Sequence, residues 1–375
     1  MRILIAGDLA PQNRVAELLK RNSLSEVLEQ VKDITSHYDY NIVNLEAPIV
    51  TAEGCASIRK SGPSLKTDES VISAIRYAGF NAVTLANNHF RDYGDTGVND
   101  TISELNVAHI EHVGGGKNDK EAAKILYKDI NDKRIAFINC CEHEFSIATN
   151  ERAGSNPLNP IQQYYQIKEA KQNTDHVLVI VHGGHEMWQL PSPRMKETYR
   201  FFIDAGADIV VNHHQHCFSG FEIYNGKPIF YGIGNFCFDR PGFYPDLWPY
   251  GYMVALGFDD TVSFELIPYE QCKDKPRVSL LNDQTLFNNE LEQLNAIISD
   301  DKLLAEKTKQ YYQRDQKNLQ LVLEPYKGRI FRKLYMMGIL PRFMKNEKML
   351  KLQNMVCCEA HRDKLIQYFY EQEEV

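Results

Sequence analysis

The stretch His176-Val-Leu-Val-Ile-Val-His182-Gly-Gly-His185-Glu186 carries two signals side by side. Its first part, a run of Val, Leu and Ile, predicts a short buried strand. The residues that follow, His182, His185 and Glu186, can all bind metal ions. Because the carboxyl ends of strands in an α/β sheet present side chains to a common crevice, this stretch predicts a metal site at one edge of a sheet.

The same arrangement recurs along the first two thirds of the chain. Other blocks of metal-capable residues also follow short apolar runs, and these are Gly7-Asp8, Asn44-Leu45-Glu46, Asn87-Asn88-His89, His213-His214-Gln215-His216 and Gly234-Asn235-Phe236. Any one block is explained as well by a core histidine or a turn. Several blocks at strand ends are harder to explain separately, so the pattern predicts that they converge on one site.

Apolar runs and helical patterns alternate along this region, which predicts an α/β fold. Runs rich in Ile, Val and Leu predict strands at residues 3–6, 41–45, 82–86, 134–139, 176–181, 208–211 and 228–231. Helical spacing predicts helices at residues 14–37, 68–78, 95–105, 160–172 and 192–205. Two later runs, 252–258 and 263–268, predict an antiparallel pair joined by Asp259-Asp260, so we expect a mixed sheet.

The composition is that of an ordinary globular protein, with 43% hydrophobic and 25% charged residues among 375. A formal net charge of −8 gives no overall electrostatic reason to bind nucleic acid, and we expect no such partner. The cysteines form no Cys-x-x-Cys pair, which favours reduced thiols. With no secretory segment at its start and no long apolar run, the sequence predicts a cytoplasmic protein whose membrane contacts are peripheral, at the inner face.

The composition changes after about residue 280, where glycine becomes scarce and strand-like runs stop. We therefore predict two domains, residues 1–275 and a helical extension of residues 276–375. Within residues 327–351, eight Lys and Arg residues stand against the single acidic residue Glu347, interleaved with apolar residues. Such a stretch can lie on an anionic membrane, dock to a membrane-associated polymer synthase complex, or pack its apolar stripe on the rest of the protein.

Six residues of the blocks offer metal ligands of two kinds, namely carboxylate or amide oxygens and imidazole nitrogens. They are Asp8, Glu46, Asn88, His182, His214 and His216. Oxygen and imidazole ligands together suit Mn²⁺, Fe or Zn²⁺ better than Ca²⁺. One bridging carboxylate can hold two divalent ions about 3.5 to 4 Å apart, so we expect two ions.

Two loops, residues 54–67 and 141–159, are longer than a plain connection requires, and we expect both at the site. Lys60 lies in the first of them. Its ammonium group can receive a substrate carboxylate or phosphate, or it can simply be solvated.

In order, the blocks read Gly-Asp, Asn-Leu-Glu, Ala-Asn-Asn-His, His-x-Gly-x-Glu, His-x-His and Gly-Asn-Phe. This series resembles the CapA family of bacterial capsule and poly-γ-glutamate biosynthesis proteins, a branch of the calcineurin-like metallophosphoesterase superfamily. The resemblance covers residues 1–270. It implies a four-layer αββα sandwich of the metallophosphoesterase type with mixed sheets, to which the helical C-terminal extension is added.

The resemblance implies a role for each matched residue. The implied metal ligands are Asp8 and His216 for a first ion, Asn88, His182 and His214 for a second, and Glu46 as the bridge between them. His89 matches a histidine that protonates the leaving group, with Asp92 or Asp95 as its carboxylate partner. Asp8 is followed by Leu9-Ala10, so the histidine that ordinary metallophosphoesterases place two residues after this aspartate is absent.

The remaining candidates are assigned to substrate binding. They are Lys60, Asn87, Glu186 and Asn235. Glu186 matches the glutamate of the family's His-x-Gly-x-Glu motif, where it would contact metal-bound water or make a structural hydrogen bond. His185 and His213 stand beside matched histidines, and no role is assigned to them.

The implied activity is that of a metal-dependent hydrolase in capsule or poly-γ-glutamate biosynthesis. Metal-activated water would attack a phosphoester or amide bond in an anionic polymer or its phosphorylated precursor. The alternative is a non-catalytic accessory subunit that binds metal and polyanion within a polymer synthesis or export complex. His89 favours the enzyme, whereas the absent first-ion histidine favours the accessory role.

Overall fold

The computed structural model of the protein describes residues 1–242, 246–259 and 262–373. They form two compact units, Met1–Leu304 and a second that begins at Ala305. The first unit extends beyond the domain boundary predicted after residue 275, since it also holds a strand at Val278–Leu280 and a helix at Thr285–Ser299. This helix buries Leu291 and other apolar side chains in the same core as the sheets.

The strands and helices follow in chain order. The strands are β1 Arg2–Leu9, β2 Tyr40–Leu45, β3 Ala82–Thr84, β4 Glu111–Val113, β5 Gly115–Gly116, β6 Leu126–Ile130, β7 Lys133–Cys141, β8 Gly154–Ser155, β9 His176–His182, β10 Ile209–His213, β11 Phe221–Tyr224, β12 Lys227–Phe230, β13 Asn235–Cys237, β14 Tyr250–Phe258, β15 Val262–Gln271 and β16 Val278–Leu280. The helices are α1 Asn13–Lys20, α2 Leu24–Thr35, α3 Ser70–Tyr77, α4 Gly94–Val107, α5 Asp119–Ala122, α6 Pro160–Asn173, α7 Pro193–Ala205, α8 Thr285–Ser299, α9 Asp301–Val322, α10 Arg329–Met336, α11 Asn346–Cys357 and α12 Glu359–Glu373.

The larger sheet has the strand order β16-β15-β14-β1-β2-β3-β4, with β13 also beside β1. Strand β1 runs parallel to β2 and β13 and antiparallel to β14, so the sheet is mixed, as predicted. The chain passes very close to β1 just before β13, because a Cβ atom on Gly7 would lie 2.0 Å from the carbonyl oxygen of Gly234. Only glycine fits at position 7, and this close approach brings Asp8 beside Asn235.

The smaller sheet has the strand order β11-β12-β10-β9-β7-β6. Its central strands run parallel, and the edge strands β6 and β11 are antiparallel to their neighbours. The run of Val, Leu and Ile at residues 177–181 forms the middle of β9 and is fully buried. A near-continuous apolar run is what a parallel strand requires when both faces of its sheet are covered.

The side chains of β1 alternate between two cores, which shows how the layers stack. Ile3 and Ile5 lie in a core shared with the smaller sheet, whereas Leu4 and Ala6 lie in a core shared with α1 to α4. The smaller sheet in turn packs on α6 and α7. The order helix, sheet, sheet, helix confirms the αββα sandwich expected from the sequence.

Two local predictions differ from the structure or reach beyond it. The single helix predicted over residues 14–37 is wrong, because α1 and α2 are separated by a break in which Asn22 has a φ of 58°. Asparagine tolerates this left-handed conformation, which a helix does not. The predicted antiparallel pair is confirmed as β14 and β15, but Asp260 of its connection lies outside the described residues.

The second unit is helical, as predicted for the C-terminal extension, and it contains α10, α11, α12 and most of α9. Within the parts of the chain that the structure describes, no helix combines enough length and apolar character to cross a membrane.

Candidate metal centre

The predicted ligands come from the carboxyl ends of strands in both sheets. The structure brings together the six, which are Asp8 near the end of β1, Glu46 after β2, Asn88 after β3, His182 at the end of β9, and His214 and His216 after β10. All are buried. Glu46, His182 and His214 form a trio whose ligand atoms lie within 4.8 Å of one another, and Asp8, Glu46 and His216 form a second.

Glu46, which belongs to both trios, gives the strongest sign of a cation site. Its side chain is fully buried, and neither carboxylate oxygen has a hydrogen-bond partner among the described residues. Its Oε1 lies 3.5 Å from Nε2 of His182 and 3.8 Å from Nε2 of His216. Burial, followed by the charges of Asp8 and Glu186, raises the pKa of Glu46 well above its ordinary value. A buried carboxylate without partners is costly, and divalent cations beside it would offset that cost.

Asp8, by contrast, is held by donors of the protein itself. Its Oδ1 accepts hydrogen bonds from Nδ2 of Asn44 at 2.7 Å and from Nδ1 of His213 at 3.2 Å. Its Oδ2 accepts one from the backbone N–H of His214 at 3.3 Å and lies 4.0 Å from Nδ1 of His216. Burial alone would raise the pKa of Asp8, but the hydrogen bond and positive potential of His213 lower it well below the ordinary value. Asp8 is therefore a fixed, ionised carboxylate.

The ligand atoms around His182 contact one another instead. Nε2 of His182 lies 3.1 Å from Oδ1 of Asn88 and 3.1 Å from Nδ1 of His214. Burial, followed by the charge of His214, lowers the pKa of His182 well below its ordinary value, and burial lowers the pKa of His214 to about 4. Both rings are therefore neutral near neutral pH, which is the form that binds metal. With Glu46 they offer the donor set of one borderline divalent ion.

The loop after β10 adopts a strained backbone at two of the candidate ligands. His214 and His216 have φ angles of 90° and 56°, in the left-handed region that glycine enters more easily. His216 is fixed by Asn235, because its Nδ1 donates to Oδ1 of Asn235 at 2.9 Å and its carbonyl oxygen accepts from Nδ2 at 3.1 Å. With Nδ1 occupied, Nε2 is the nitrogen of His216 that faces Glu46.

His89 is paired with Asp92 and not with the alternative candidate Asp95. Nδ1 of His89 lies 2.6 Å from Oδ2 of Asp92, whereas Asp95 binds Arg91. The ammonium group of Lys60 binds Oδ1 of Asp92 and lies 3.2 Å from Nδ1 of His89. Burial lowers the pKa of His89, against the opposing effect of Asp92. The pair faces the metal centre closely enough for His216 to contribute to this shift.

Two residues predicted to bind substrate are committed to contacts within the protein. Asn87 is fully buried, and it donates to the carbonyl oxygen of Leu45 at 2.9 Å and accepts from the N–H of His89 at 3.1 Å. Asn235 is also fully buried and is bound to His216. These contacts favour a positioning role for both asparagines over the predicted contact with substrate.

The other two substrate candidates differ in exposure. The side chain of Lys60 is buried against Asp92, so its charge is already paired within the protein. Glu186 is exposed, and its charge acts on Glu46. Of the two, Glu186 is the residue that a substrate can reach without displacing an ion pair.

Two residues that hold Asp8 were given no role from the sequence. Asn44 donates to Asp8 and lies 3.3 Å from Nδ1 of His182, so it contacts ligands from both sheets. The sequence feature that could have identified Asn44 is its spacing from Glu46, because residues two apart along a strand share one face. His213 is buried on Asp8, and its position beside His214 in a histidine-rich block was its only signal.

Glu144 of the 141–159 loop is a further residue that the sequence did not indicate. Its carboxylate accepts a hydrogen bond from Nδ2 of Asn88 at 3.4 Å and lies 3.7 Å from Nε2 of His214. Burial, followed by the charge of Glu186, raises its pKa despite the hydrogen bond from Asn88. This loop therefore reaches two of the candidate ligands through a residue without a recognisable motif.

A two-sheet αββα sandwich with buried carboxylate and imidazole donors at its strand ends is the architecture that the resemblance to metallophosphoesterases implied. The particular family follows from the sequence. The chain belongs to the family described as Bacterial capsule synthesis protein PGA_cap, whose model matches residues 2–240. This match confirms the resemblance drawn from the motifs.

The chain is similar to several curated proteins of polymer biosynthesis. Capsule biosynthesis protein CapA of Bacillus anthracis is 35% identical over 248 residues, which cover 64% of this chain and 60% of that protein. PGA biosynthesis protein CapA of Bacillus subtilis (strain 168) is 32% identical over 238 residues, which cover 62% of each. A protein of Mycobacterium tuberculosis named "Probable polyglutamine synthesis accessory protein" is 29% identical over 217 residues, covering 54% of this chain and 57% of that protein. The chain thus spans about 60% of the length of these relatives.

Solved structures to which the chain is similar include a phosphatase and a 5'-nucleotidase. A phosphatase of Mycoplasma pneumoniae has a TM-score of 0.43 and 16% identity, covering 72% of this chain and 92% of that chain. A 5'-nucleotidase of Candida albicans has a TM-score of 0.41 and 12% identity, covering 84% of this chain and 57% of that chain. At these values the likeness says nothing about activity.

Proposed function

We propose that the chain is a metal-dependent hydrolase in the biosynthesis of a cell-surface polymer such as capsule or poly-γ-glutamate. The relatives supply the polymer context through their names. The observation that carries the hydrolase is Glu46, a fully buried carboxylate with no hydrogen-bond partner among the described residues, set between two trios of ligand atoms. The bond cut would be a phosphoester or an amide in an anionic polymer or its phosphorylated precursor.

The side chains divide the work of such a reaction. Two divalent ions held by this donor set would lower the pKa of a bound water and polarise the bond to be cut. Asp8 and Glu46 would supply the negative charge that holds the ions. His89 is the group that can give a proton to the leaving atom, through Nε2, because its Nδ1 is bound to Asp92. Lys60 balances the charge of Asp92 and so keeps this pair in place.

The first test is metal content and turnover of the same preparations. Protein purified without chelators should hold two equivalents of metal per chain, and the Asp8→Ala and His214→Ala variants should each hold one or none. With Mn²⁺ added, the wild type should hydrolyse a phosphodiester or a γ-glutamyl amide. The His89→Asn variant should keep its metal and lose roughly 10²- to 10⁴-fold in rate.

The outcomes separate the metal centre from the hydrolase. A wild-type protein without bound metal would overturn the metal centre, and a fully loaded protein that hydrolyses neither substrate would overturn the hydrolase. If the His89→Asn variant hydrolysed its substrate at the wild-type rate, His89 would not be the proton donor to the leaving group.

A second candidate function is that of a non-catalytic accessory subunit that binds metal and polyanion. The observation in its favour is the Asp8 trio, which counts three residues within the described parts of the chain; Leu9-Ala10 stand where the resemblance would place a further histidine. A relative named as an accessory protein also supports it. Binding of poly-γ-glutamate that requires metal, without hydrolysis, would favour this candidate.

A further inference from the structure

The second unit carries a charged surface that the proposed function does not use. We name residues 327–345 the basic platform, because this segment contains Lys and Arg but no Asp or Glu. Its basic residues, all exposed, are Lys327, Arg329, Arg332, Lys333, Arg342 and Lys345. Since the whole chain has a formal net charge of −8, this concentration of positive charge is local.

Large apolar side chains are exposed on the same basic platform. The exposed fraction is 74% for Ile330, 54% for Phe331, 63% for Met337, 60% for Ile339 and 51% for Phe343. Ile330 and Met337 are seven residues apart and therefore lie on one side of α10 and its end. Apolar residues grouped in this way at a surface mark an interaction site more often than scattered ones do. These five apolar side chains are thus exposed on the basic platform.

Contacts within the second unit hold the basic platform in shape. The buried carboxylate of Glu324 accepts the N–H of Phe343 at 2.8 Å. The hydroxyl of Tyr326 donates to the carbonyl oxygen of Pro341 at 2.6 Å, and its ring lies 5.3 Å from the ring of buried Tyr335. Helix α10 and the loop after it are therefore tied together, although their apolar side chains remain exposed.

We propose that the basic platform docks the protein onto an anionic lipid surface. Ile330, Phe331 and Ile339 would enter the interface while the Lys and Arg side chains meet the lipid headgroups. Charge complementarity selects an anionic surface, and the apolar side chains select a lipid one. A polyanionic polymer would satisfy the charges and leave the apolar side chains in water, so a membrane surface accounts for both features together.

The test is binding of the full chain to lipid vesicles by co-sedimentation. Phosphatidylcholine vesicles that contain about a third phosphatidylglycerol should bind the protein tightly, and vesicles of phosphatidylcholine alone should bind it weakly. Binding to the anionic vesicles should fall as salt is added, because salt screens the charges.

Matched variants separate the basic platform from the rest of the chain. The triple variant Arg329→Gln, Arg332→Gln, Lys333→Gln should weaken binding on the order of 100-fold. The control removes three exposed charges from α9 and should bind like the wild type; it is Lys309→Gln, Arg314→Gln, Lys317→Gln.

A second pair of variants tests the apolar part. The triple variant Ile330→Ser, Phe331→Ser, Ile339→Ser should weaken vesicle binding more than tenfold. Its control changes two exposed apolar residues of the first unit, Ile161→Ser and Leu286→Ser, and should leave binding unchanged. Far-UV circular dichroism checks that each variant is folded.

Several results would overturn the docking proposal. Equal binding to both kinds of vesicle, or equal losses in test and control variants, would remove the basic platform as the lipid contact. Binding of poly-γ-glutamate without vesicle binding would assign it to the polymer. A change of oligomeric state in the apolar variant, without vesicle binding, would assign it to a second copy of the chain. Metal content and turnover report on the first unit, so the two proposals can fail separately.

Discussion

The Asp8 and His182 sides of the metal centre use the same kinds of side chain but hold them differently. On the Asp8 side, residues that are not candidate ligands fix those that are, since Asn44 and His213 bind Asp8 and Asn235 binds His216. On the His182 side, Asn44 and Glu144 also contact ligands, but the candidate ligands contact one another as well, as the 3.1 Å between His182 and His214 shows.

The two sides therefore differ in two properties that affect metal affinity, namely how well the ligands are ordered before an ion binds and how many ligands there are. The Asp8 side has few ligands, but they are already ordered, so less freedom is lost when an ion binds. The His182 side adds Asn88 to its trio, and two of its imidazole nitrogens lie 3.1 Å apart, a separation that two ligands of one ion can have. We expect the larger donor set to decide, so that the ion on the His182 side is bound more tightly.

The largest effect should come from Glu46→Gln, which removes a candidate ligand from the Asp8 side and from the His182 side together. Glu46 is the residue that the two trios share, so its replacement should weaken the binding of both ions. Removing a residue that only hydrogen-bonds to a ligand lowers metal affinity roughly 10- to 100-fold. Removing the ligand Glu46 itself should lower it further. Calorimetric titration with Mn²⁺ measures this. The control is Glu142→Gln, whose carboxylate is bound by the N–H of Gly184 and by Arg194. One retained equivalent in Glu46→Gln would show that Glu46 serves a single ion.

The next effect should separate the two sides. Asp8→Asn should remove the weaker ion and His182→Ala the tighter one, because each variant loses a ligand that only one trio contains. Stepwise removal of metal with a weak chelator, followed by elemental analysis, distinguishes them. Loss of the tighter ion in Asp8→Asn would reverse the ranking of the two sides.

A smaller effect should follow from the residues that prepare the Asp8 side. His213→Phe and Asn235→Ala should each weaken the ion on that side by roughly 10- to 100-fold and leave the other ion in place, because they orient ligands without belonging to the trios. Asn225→Ala, at an exposed turn, is the control. If neither change alters metal affinity in a calorimetric titration, the hydrogen bonds that orient Asp8 and His216 do not contribute to ion binding on the Asp8 side.

The smallest effect concerns the metal-free protein and pH. The raised pKa means that Glu46 binds a proton more tightly in the folded state than in the unfolded state. Protonated Glu46 therefore adds to the free energy of unfolding, and this contribution is lost as pH rises above about 4.5, the ordinary glutamate value. Glu46→Gln cannot lose a proton, so it should be the more stable of the two near neutral pH, by about 1.4 kcal/mol for each unit by which the pKa is raised. Denaturant unfolding in a chelator measures the difference. Equal stability at all pH values would mean that Glu46 is not the group that titrates.

Much of the fold could be predicted because its strands have a simple requirement. Strands covered on both faces need near-continuous apolar runs, and such runs end at Asp8, Glu46 and His182. The break at Asn22 could not be predicted in this way, because apolar residues continue at helical spacing on both sides of it.

The unpredicted parts of the site are contacts between segments that lie far apart in the chain. Lys60 reaches Asp92 because of the path of the 54–67 loop, and His213 meets Asp8 because two neighbouring sheets bring them together. Neither contact has a local pattern, since it depends on how loops and sheets pack and not on the spacing of residues within one element.

Strand β1 lies in the middle of the larger sheet, and its neighbouring strands are synthesised at very different times because they lie far apart in the chain. Strand β2 follows soon, whereas β13 begins at Asn235 and β14 at Tyr250. At a synthesis rate of about 5 to 20 residues per second, one edge of β1 waits on the order of 10 s for its partners. An unpaired strand edge invites wrong pairing in that time. The candidate ligands therefore come together only after β13 and β14 have been synthesised, so an ion would bind only after most of the first unit has been made.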